Sequence, residues 1–347
     1  MERLSSPENN KAEETERGSR GDEGETSCVA VRGLREEATF VGSMRVLIAE
    51  YAVGSCERPE LRREGELMLS ALKRSFERLG HEVFFPKAEK DFGRAIERLS
   101  KECDAGLVIA PDDILGEFTE ILEENTLNLG CPAETVRTCA DKLKTTEILL
   151  KNGIPAPRIL AEEACSECCV LKPRFGCGSE GVLLLRSSSC DFVKCEGGEE
   201  EYISTEFVRG EDVSVSVVAS ARSSLFLTVN KQFVEREYVR GGVARLKYSG
   251  SVVPYEVSEA QARELKRLSA AISRLFKCRG YFGVDFVLCE EDGKAYAVDV
   301  NPRATTSIAC VASVINFEIA ALILLAANNE LPAEEELQVN GRCSVRF

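Results

Sequence analysis

The sequence predicts a protein of mixed class, in which an N-terminal α/β unit precedes an α+β unit. Between residues 44 and 110, short apolar runs alternate with helical patterns, which is typical of a parallel sheet flanked by helices. After residue 169, short strand patterns follow one another with turns between them, which favours an antiparallel sheet. Residues 1–43 are polar and contain too few apolar residues to form a core, so we expect a disordered extension there.

The overall composition excludes several classes of function. The chain of 347 residues has a formal charge of −14, which repels polyanions, so we expect no nucleic-acid partner. Its single histidine, His81, argues against histidine-based hydrolysis and His-rich zinc sites. The longest apolar run, 308–327, is interrupted by Asn316 and Glu318. We therefore expect a buried helix there and no association with a membrane.

The fifteen cysteines predict free thiols in a reducing cytoplasm, because no apolar secretory signal precedes them. The most metal-like spacing lies in one segment, with three more cysteines downstream: Cys165, Cys168, Cys169, Cys177, Cys190 and Cys195. Two interpretations fit this pattern. One is a structural zinc or iron–sulfur site, and the other is a set of thiols that pack as small hydrophobic side chains.

The elements of the N-terminal unit follow from hydrophobic patterning. Buried parallel strands are predicted at 45–50, 81–85 and 105–110. Helices are predicted at 59–79 and 92–101, and Gly80 occupies the position of a helix C-cap. The residues from Tyr51 to Pro59 are expected to form a loop.

A helix over 138–152 follows, with a capping-box-like start at Thr138 and Asp141. The strand patterns after it are 169–173, 182–186, 202–208, 213–219 and 225–230. A helix and a closing hairpin are predicted at 257–276, 281–289 and 295–300.

A glycine-rich loop, Gly176-Cys-Gly178-Ser-Glu-Gly181, matches GxGxxG letter for letter. A dinucleotide fingerprint requires a helix after the loop, but residues 182–185 predict a strand. The loop therefore joins two strands, where glycines let backbone N–H groups approach phosphate. Lys172 on the preceding strand supplies a positive charge for the same ligand. An ordinary glycine-rich hairpin with a solvated lysine also fits these residues.

The closing hairpin places two acids face to face. With a turn centred on Asp292, the antiparallel register pairs Asp285 with Asp299, and like charges so placed are destabilising. Asn301 shares their face, and Gly283 opposite it leaves room for a ligand. Three oxygen donors on one face suit Mg²⁺ or Mn²⁺, whereas a one-residue slip would leave a solvated pair of acids. The other face is expected to enter a core: Val284, Phe286, Val298 and Val300.

Together these motifs resemble the ATP-grasp superfamily. In chain order they are Asp141-Lys142, Lys172-Pro173 with the glycine loop, Glu206–Asp212, Gly280–Asp285 and Asp299–Arg303. The resemblance extends from Met44 to about residue 327. It implies a Rossmann-like α/β domain at 44–137, a central lid subdomain at 138–205 and a catalytic ATP-grasp subdomain at 206–347. Enzymes of this superfamily hold ATP between two α+β subdomains.

The resemblance also implies roles for single residues. Phosphate binding is assigned to Lys142, Lys172, Gly176, Gly178 and Gly181. Adenine and ribose binding is assigned to Glu206, Phe207, Val208 and Asp212. Metal binding is assigned to Asp285, Asp299 and Asn301, and the catalytic residues are Arg303 and Lys172. Asp299 stands where the superfamily usually has glutamate, so its shorter side chain requires a moved metal or a shifted strand.

The segments Glu50-Tyr51-Ala52 and Glu64–Met68 resemble archaeal ligases that join L-glutamate to tyramine in methanofuran biosynthesis. This resemblance implies an ADP-forming acid–amine ligase that uses ATP and an acyl phosphate, and a homodimer is usual among similar enzymes. An amine must be neutral to attack, and Glu50 and Glu64 are candidates for the base that deprotonates it. Two alternatives stay open, namely a ligase for another acid and amine, and a nucleotide-binding protein without turnover.

Overall fold

The computed structural model describes residues 42–161, 168–176, 179–186, 201–239 and 242–347. The predicted disordered extension, 1–43, lies outside the described residues except for Gly42 and Ser43. The described chain contains a four-stranded sheet and a nine-stranded sheet.

The four-stranded sheet belongs to the N-terminal part and is parallel throughout. Its strands are β1 (Arg45–Glu50), β2 (Glu82–Phe84), β3 (Ala105–Ile109) and β4 (Leu127–Asn128), in the order β2-β1-β3-β4. The three predicted strands are confirmed, and the two-residue β4 is an addition. All five residues of β3 are buried, as expected of a central parallel strand.

Six α-helices lie between β1 and β5 in the described chain. They are α1 (Tyr51–Gly54), α2 (Arg62–Arg78), α3 (Phe92–Ser100), α4 (Asp112–Glu123), α5 (Ala133–Ala140) and α6 (Lys142–Lys151). A 3-10 turn, Pro59–Leu61, leads into α2. The predicted helices at 59–79 and 92–101 are confirmed, and Gly80 has a φ of 82° after the end of α2.

Two predictions in this region are wrong. The expected loop after Tyr51 begins with a helical turn, because the Glu50 carboxylate caps α1 by accepting a hydrogen bond from Val53 N. Thr138 does not cap a helix. It lies inside α5, where its hydroxyl donates to Glu134 O, and Asp141 caps α6 by accepting from Lys144 N at 3.1 Å.

The nine-stranded sheet is antiparallel. Its strands are β5 (Cys169–Pro173), β6 (Leu183–Leu185), β7 (Tyr202–Glu206), β8 (Gly210–Ala219), β9 (Ser224–Tyr238), β10 (Val243–Val253), β11 (Gly280–Cys289), β12 (Ala295–Asn301) and β13 (Cys343–Arg346). They run β12-β11-β8-β9-β10-β6-β5-β7, and β13 pairs with β10. The strand β10 was not predicted from the sequence. Its charged and apolar residues alternate only in part, and its register with β9 shifts between Tyr248 and Gly250.

Three more helices complete the described chain: α7 (Glu259–Leu275), α8 (Ile308–Val314) and α9 (Ile319–Ala327). The apolar run 308–327 therefore forms two buried helices rather than one, because the chain bends between Ile315 and Glu318. No helix in the described residues is long and apolar enough to cross a membrane. One hydrophobic core joins the two sheets, since Ala49 and Leu122 belong to the same cluster as Val215 and Phe282.

The expectation of free thiols is wrong at one pair. Cys310 on α8 and Cys343 on β13 form a disulfide with a Cα–Cα distance of 5.2 Å, because the pairing of β13 with β10 brings distant parts of the chain together. Of the metal-like segment, only Cys168 and Cys169 are described, and Cys165, Cys177, Cys190 and Cys195 lie outside the described residues. Cys169 is buried in a small core under β5 and β6.

Candidate active site

A cavity of about 250 Å³ lies against the nine-stranded sheet, and Glu64 of α2 and Lys142 of α6 also line it. Most of the residues predicted to form a site line it, namely Lys142, Lys172, Gly176, Glu206, Phe207, Val208, Asp212, Asp285, Asp299, Asn301 and Arg303. Gly178 lies outside the described residues. Gly181 is not among the lining residues. It has a φ of 71°, and a Cβ there would lie 2.9 Å from Pro173 Cγ, so its conformation and close packing explain the glycine.

The hairpin of β11 and β12 forms the floor of the cavity. Asp285 pairs with Asp299 and Gly283 pairs with Asn301, as the sequence predicts. Nearer the turn, however, Phe286 pairs with Ala297, so a β-bulge inserts Val298 as an extra residue. The predicted core position of Val298 is therefore wrong, because Val298 lines the cavity instead.

Asp285 is held by two amide side chains. Gln232 Nε2 donates to its Oδ1 at 2.9 Å, and Asn301 Nδ2 donates to its Oδ2 at 3.0 Å. Burial, and secondly the facing charge of Asp299, raise the pKa of Asp285 to about 7. Ionisation of Asp285 therefore costs free energy, because the charged carboxylate is desolvated and is repelled by Asp299.

The donor chemistry of this floor fits a divalent cation. Asp285, Asp299 and Asn301 present hard oxygen donors, and a cation would offset the repulsion that raises the pKa of Asp285. The described residues contain no group of three or more His, Cys, Asp or Glu side chains that could hold a metal ion. Two carboxylates are nevertheless the usual protein share of a Mg²⁺ site that substrate phosphates complete.

Two lysines lie beside the acids. Lys142, the first residue of α6, donates to Gly176 O, and its Nζ lies 3.8 Å from Asp299 Oδ2. Lys172 on β5 donates to Val298 O at 2.8 Å, so the bulge provides its acceptor. Burial lowers the pKa of Lys172, and the charge of Asp299 opposes that shift. Both ammonium groups therefore lie beside residues 298 and 299 of β12.

The sequence analysis missed Asp112, which lies at the start of α4 just after the carboxyl end of β3. It is 5% exposed and bridges two cations, with Lys142 Nζ at 3.5 Å and Arg303 Nε at 3.3 Å. Burial raises the pKa of Asp112, and the charges of Arg303 and Lys142 oppose that shift. A signal was present, because ligands of parallel α/β sheets bind beyond the carboxyl ends of the strands.

Part of the cavity lining, here called the apolar end, consists of apolar side chains. Its residues are Val170, Val182, Phe207, Val208, Val234, Leu246 and Val287. The N–H groups of Glu206 and Phe207 already donate to Arg158 O and Cys168 O. Asp212 also lines the cavity, and burial raises the pKa of its carboxyl.

Another part of the lining, here called the polar end, consists of polar side chains. Glu64 from α2, Tyr248 from β10 and Thr306 belong to it, and Tyr248 and Thr306 share a hydrogen bond of 2.9 Å between their hydroxyls. Glu50 lies behind this wall, because a Cβ on Gly65 would be 2.4 Å from Glu50 Oε2. Burial raises the pKa of Glu50 to about 7 and also raises the pKa of Glu64.

Comparison with protein families agrees with this architecture. The chain matches an ATP-grasp domain over residues 139–307 and a pre ATP-grasp 3 domain over residues 68–136. The tyramine–L-glutamate ligase of Methanocaldococcus jannaschii is 25% identical over 310 residues, which cover 82% of this chain and 90% of that protein.

Two solved structures share the fold. An ATP-grasp superfamily protein from Archaeoglobus fulgidus has a TM-score of 0.64 at 22% identity, and the match covers 88% of this chain and 92% of that chain. The ADP complex of N5-carboxyaminoimidazole ribonucleotide synthetase has a TM-score of 0.67 at 16% identity, covering 89% and 81% of the two chains. The predicted fold class is confirmed. The chain therefore belongs to the ATP-grasp superfamily and is an enzyme of the ligase type.

Proposed function

We propose that the chain is an ATP-dependent acid–amine ligase that activates a carboxylate as an acyl phosphate. The observation that carries this proposal is one cavity whose lining combines three sets of residues: apolar side chains, two lysines with two facing acids (here called the centre), and the polar residues Glu64 and Tyr248. A nucleotide, a transferring phosphoryl group and two organic substrates need these three environments in one cavity.

The apolar end suits an adenine ring. Of the three residues assigned to adenine, Val208 is the one whose N–H has no hydrogen-bond partner in the described structure, so we assign the donor to Val208. Asp212 is the candidate for the ribose hydroxyls, since it lines the cavity and is paired in the sheet with Val287 of the apolar end.

The centre suits the phosphates. Lys142 and Lys172 would hold phosphate oxygens, and Gly176 brings backbone close to the same volume. Asp285, Asp299 and Asn301 would hold Mg²⁺ or Mn²⁺, which neutralises charge on the phosphates when bound. Phosphoryl transfer depends on positioning and charge neutralisation more than on a protein nucleophile, which agrees with a site that has no histidine.

Arg303 lies between the centre and the polar end. Its guanidinium is held by Asp112 at 3.3 Å and is 12% exposed, so its charge is directed into the cavity from a fixed position. We assign Arg303 to the carboxylate that receives the phosphoryl group. The amine then displaces phosphate from the carbonyl carbon, and exclusion of water protects the acyl phosphate from hydrolysis.

For the two substrates we propose L-glutamate and tyramine, with γ-glutamyltyramine, ADP and phosphate as products. The similarity to the Methanocaldococcus jannaschii ligase spans both matched domains and supports this pair. The acidic side chains at the polar end also favour a cationic amine. Three expectations stay predictions: the division into three domains, a homodimer and a cytoplasmic location.

The proposal is tested by incubating the protein with ATP, Mg²⁺, L-glutamate and a set of primary amines, followed by mass spectrometry of nucleotides and amides. We expect ADP and a glutamyl amide, with tyramine the best acceptor. Release of AMP would contradict acyl-phosphate chemistry. ADP formation with a different acid or amine would support the ligase activity and contradict the proposed substrates.

A further inference from the structure

One carboxylate in the cavity has no partner. Glu64 lies on the first turn of α2, is half-buried and lines the polar end. In the described structure its carboxylate makes no hydrogen bond and no ion pair within 4 Å. Glu66, two residues later, is exposed and lies outside the cavity, and its carboxylate pairs with Arg62 at 2.8 Å.

The counter-charge that acts on Glu64 does not pair with it directly. Arg303 attracts Glu64, but its guanidinium is already paired with buried Asp112. Glu50 adds a second carboxylate behind Gly65, next to Glu64 in the chain. Glu64 is thus desolvated without a direct partner, and a cation that entered this part of the cavity would supply one.

We propose that Glu64 binds the ammonium group of the acceptor amine and takes up the proton that the amine must lose before it attacks. This inference rests on the proposed function, because it requires an amine as the second substrate. Tyr248 and Thr306 line the same cavity, so we assign their hydroxyls to the amine nitrogen as further contacts.

The protons and charges balance in this step. One proton passes from the ammonium group to the Glu64 carboxylate, and the nitrogen lone pair then forms a bond to the acyl carbon. The C–O bond to phosphate breaks, and its electron pair leaves with the phosphate, which takes the second nitrogen proton. The products are the amide, hydrogen phosphate and one proton that Glu64 releases to water.

Glu50 serves a different role. Its Oε2 accepts a hydrogen bond from Val53 N at 2.7 Å, and it packs against Gly65 rather than lining the cavity. Glu50 is therefore a positioning residue that caps α1 and packs beneath Gly65 of α2, and Glu64 is the group that touches the amine.

The test compares two acceptors in wild type and Glu64→Gln. Tyramine is an ammonium ion near neutral pH, whereas hydroxylamine is largely uncharged and needs no base before it attacks an acyl phosphate. With tyramine, kcat/KM of the variant should fall by about 10²-fold or more, and its pH profile should shift to higher pH. Hydroxamate formation from ATP and L-glutamate should fall by no more than about fivefold. Glu66→Gln should match wild type with both acceptors.

Three results would overturn the inference. Equal losses with both acceptors would assign Glu64 to folding or to acid activation. A raised KM for L-glutamate in the hydroxamate reaction would show that Glu64 binds the donor's ammonium group instead. Unchanged kcat/KM for tyramine would exclude a role for Glu64. If wild type forms neither product, the proposed function itself fails, and the inference fails with it.

Discussion

The centre and the polar end of the cavity differ in how their charges are satisfied. In the centre, Lys142, Lys172 and Asp285 all have hydrogen-bond or ion-pair partners within the protein. At the polar end, the Glu64 carboxylate has none in the described structure. The centre is thus preorganised for a ligand of known charge, whereas the polar end keeps a charge that its substrate must satisfy.

This difference separates shared chemistry from selectivity. A site for phosphates works with partners that hold each charged group in place before the ligand arrives. A site that selects one amine gains discrimination when its own polar group stays unpaired unless the correct ligand binds. Substitutions in the centre should therefore abolish all turnover, and those near the polar end should act more selectively.

The largest effect is expected for Asp285→Asn and Asp299→Asn. Each removes one of two carboxylates on the cavity floor, so ADP formation should fall by about a thousandfold or more with every acceptor. Circular dichroism should show an intact fold. ADP formation near the wild-type rate in either variant would contradict the metal assignment.

Lys172→Ala should have the next largest effect. The variant loses a buried ammonium group on β5 that faces the phosphate volume, so both nucleotide affinity and kcat should fall, kcat by about a hundredfold. Calorimetry of ATP binding measures the first quantity. Undiminished binding would show that Lys172 does not contact the nucleotide.

Asp112→Asn tests the connection between the two sheets. The change leaves Lys142 and Arg303 buried without their shared counter-charge, so the free energy of unfolding should fall by about 3 kcal/mol, and kcat by about tenfold. The neighbouring Asp113 is exposed, and Asp113→Asn should change stability by less than about 0.5 kcal/mol. Equal stability of the two variants would refute the bridging role.

Glu50→Gln should have the smallest effect on turnover, and its effect on stability should depend on pH. Since the pKa of Glu50 rises from 4.5 to about 7 on folding, the folded protein keeps a proton that the unfolded chain releases between these values. Wild type should therefore lose up to about 3 kcal/mol of stability as pH rises through that range. The variant should lack this contribution of Glu50, whereas Glu66→Gln should retain it. Asp285, whose pKa is also raised to about 7, should contribute its own loss in all three proteins. Urea unfolding near pH 5 and pH 8 measures the difference.

The centre could be predicted from the sequence because its parts are close along the chain. Asp285 and Asp299 belong to one hairpin, and strand periodicity with a short turn was enough to pair them. The bulge at Val298 could not be predicted, because periodicity assumes an uninterrupted register. Lys172 was identified by the glycine loop beside it.

The contacts between distant elements were less predictable, because they join residues that are far apart in the sequence. Asp112 and Arg303 are 191 residues apart, and no local pattern connects them. Gln232 contacts Asp285 only through the pairing of β9, β8 and β11. The helix α4 did carry a signal, since Leu115 and Leu122 follow helical spacing, and that prediction was missed.

The central claim is that a carboxylate is activated by phosphoryl transfer within this cavity. The most direct test uses L-glutamate labelled with ¹⁸O in its side-chain carboxylate, together with ATP, Mg²⁺ and tyramine, and mass spectrometry of the products. The account predicts that one labelled oxygen passes into inorganic phosphate for each amide formed. Label in AMP, or amide formation with unlabelled phosphate, would contradict it.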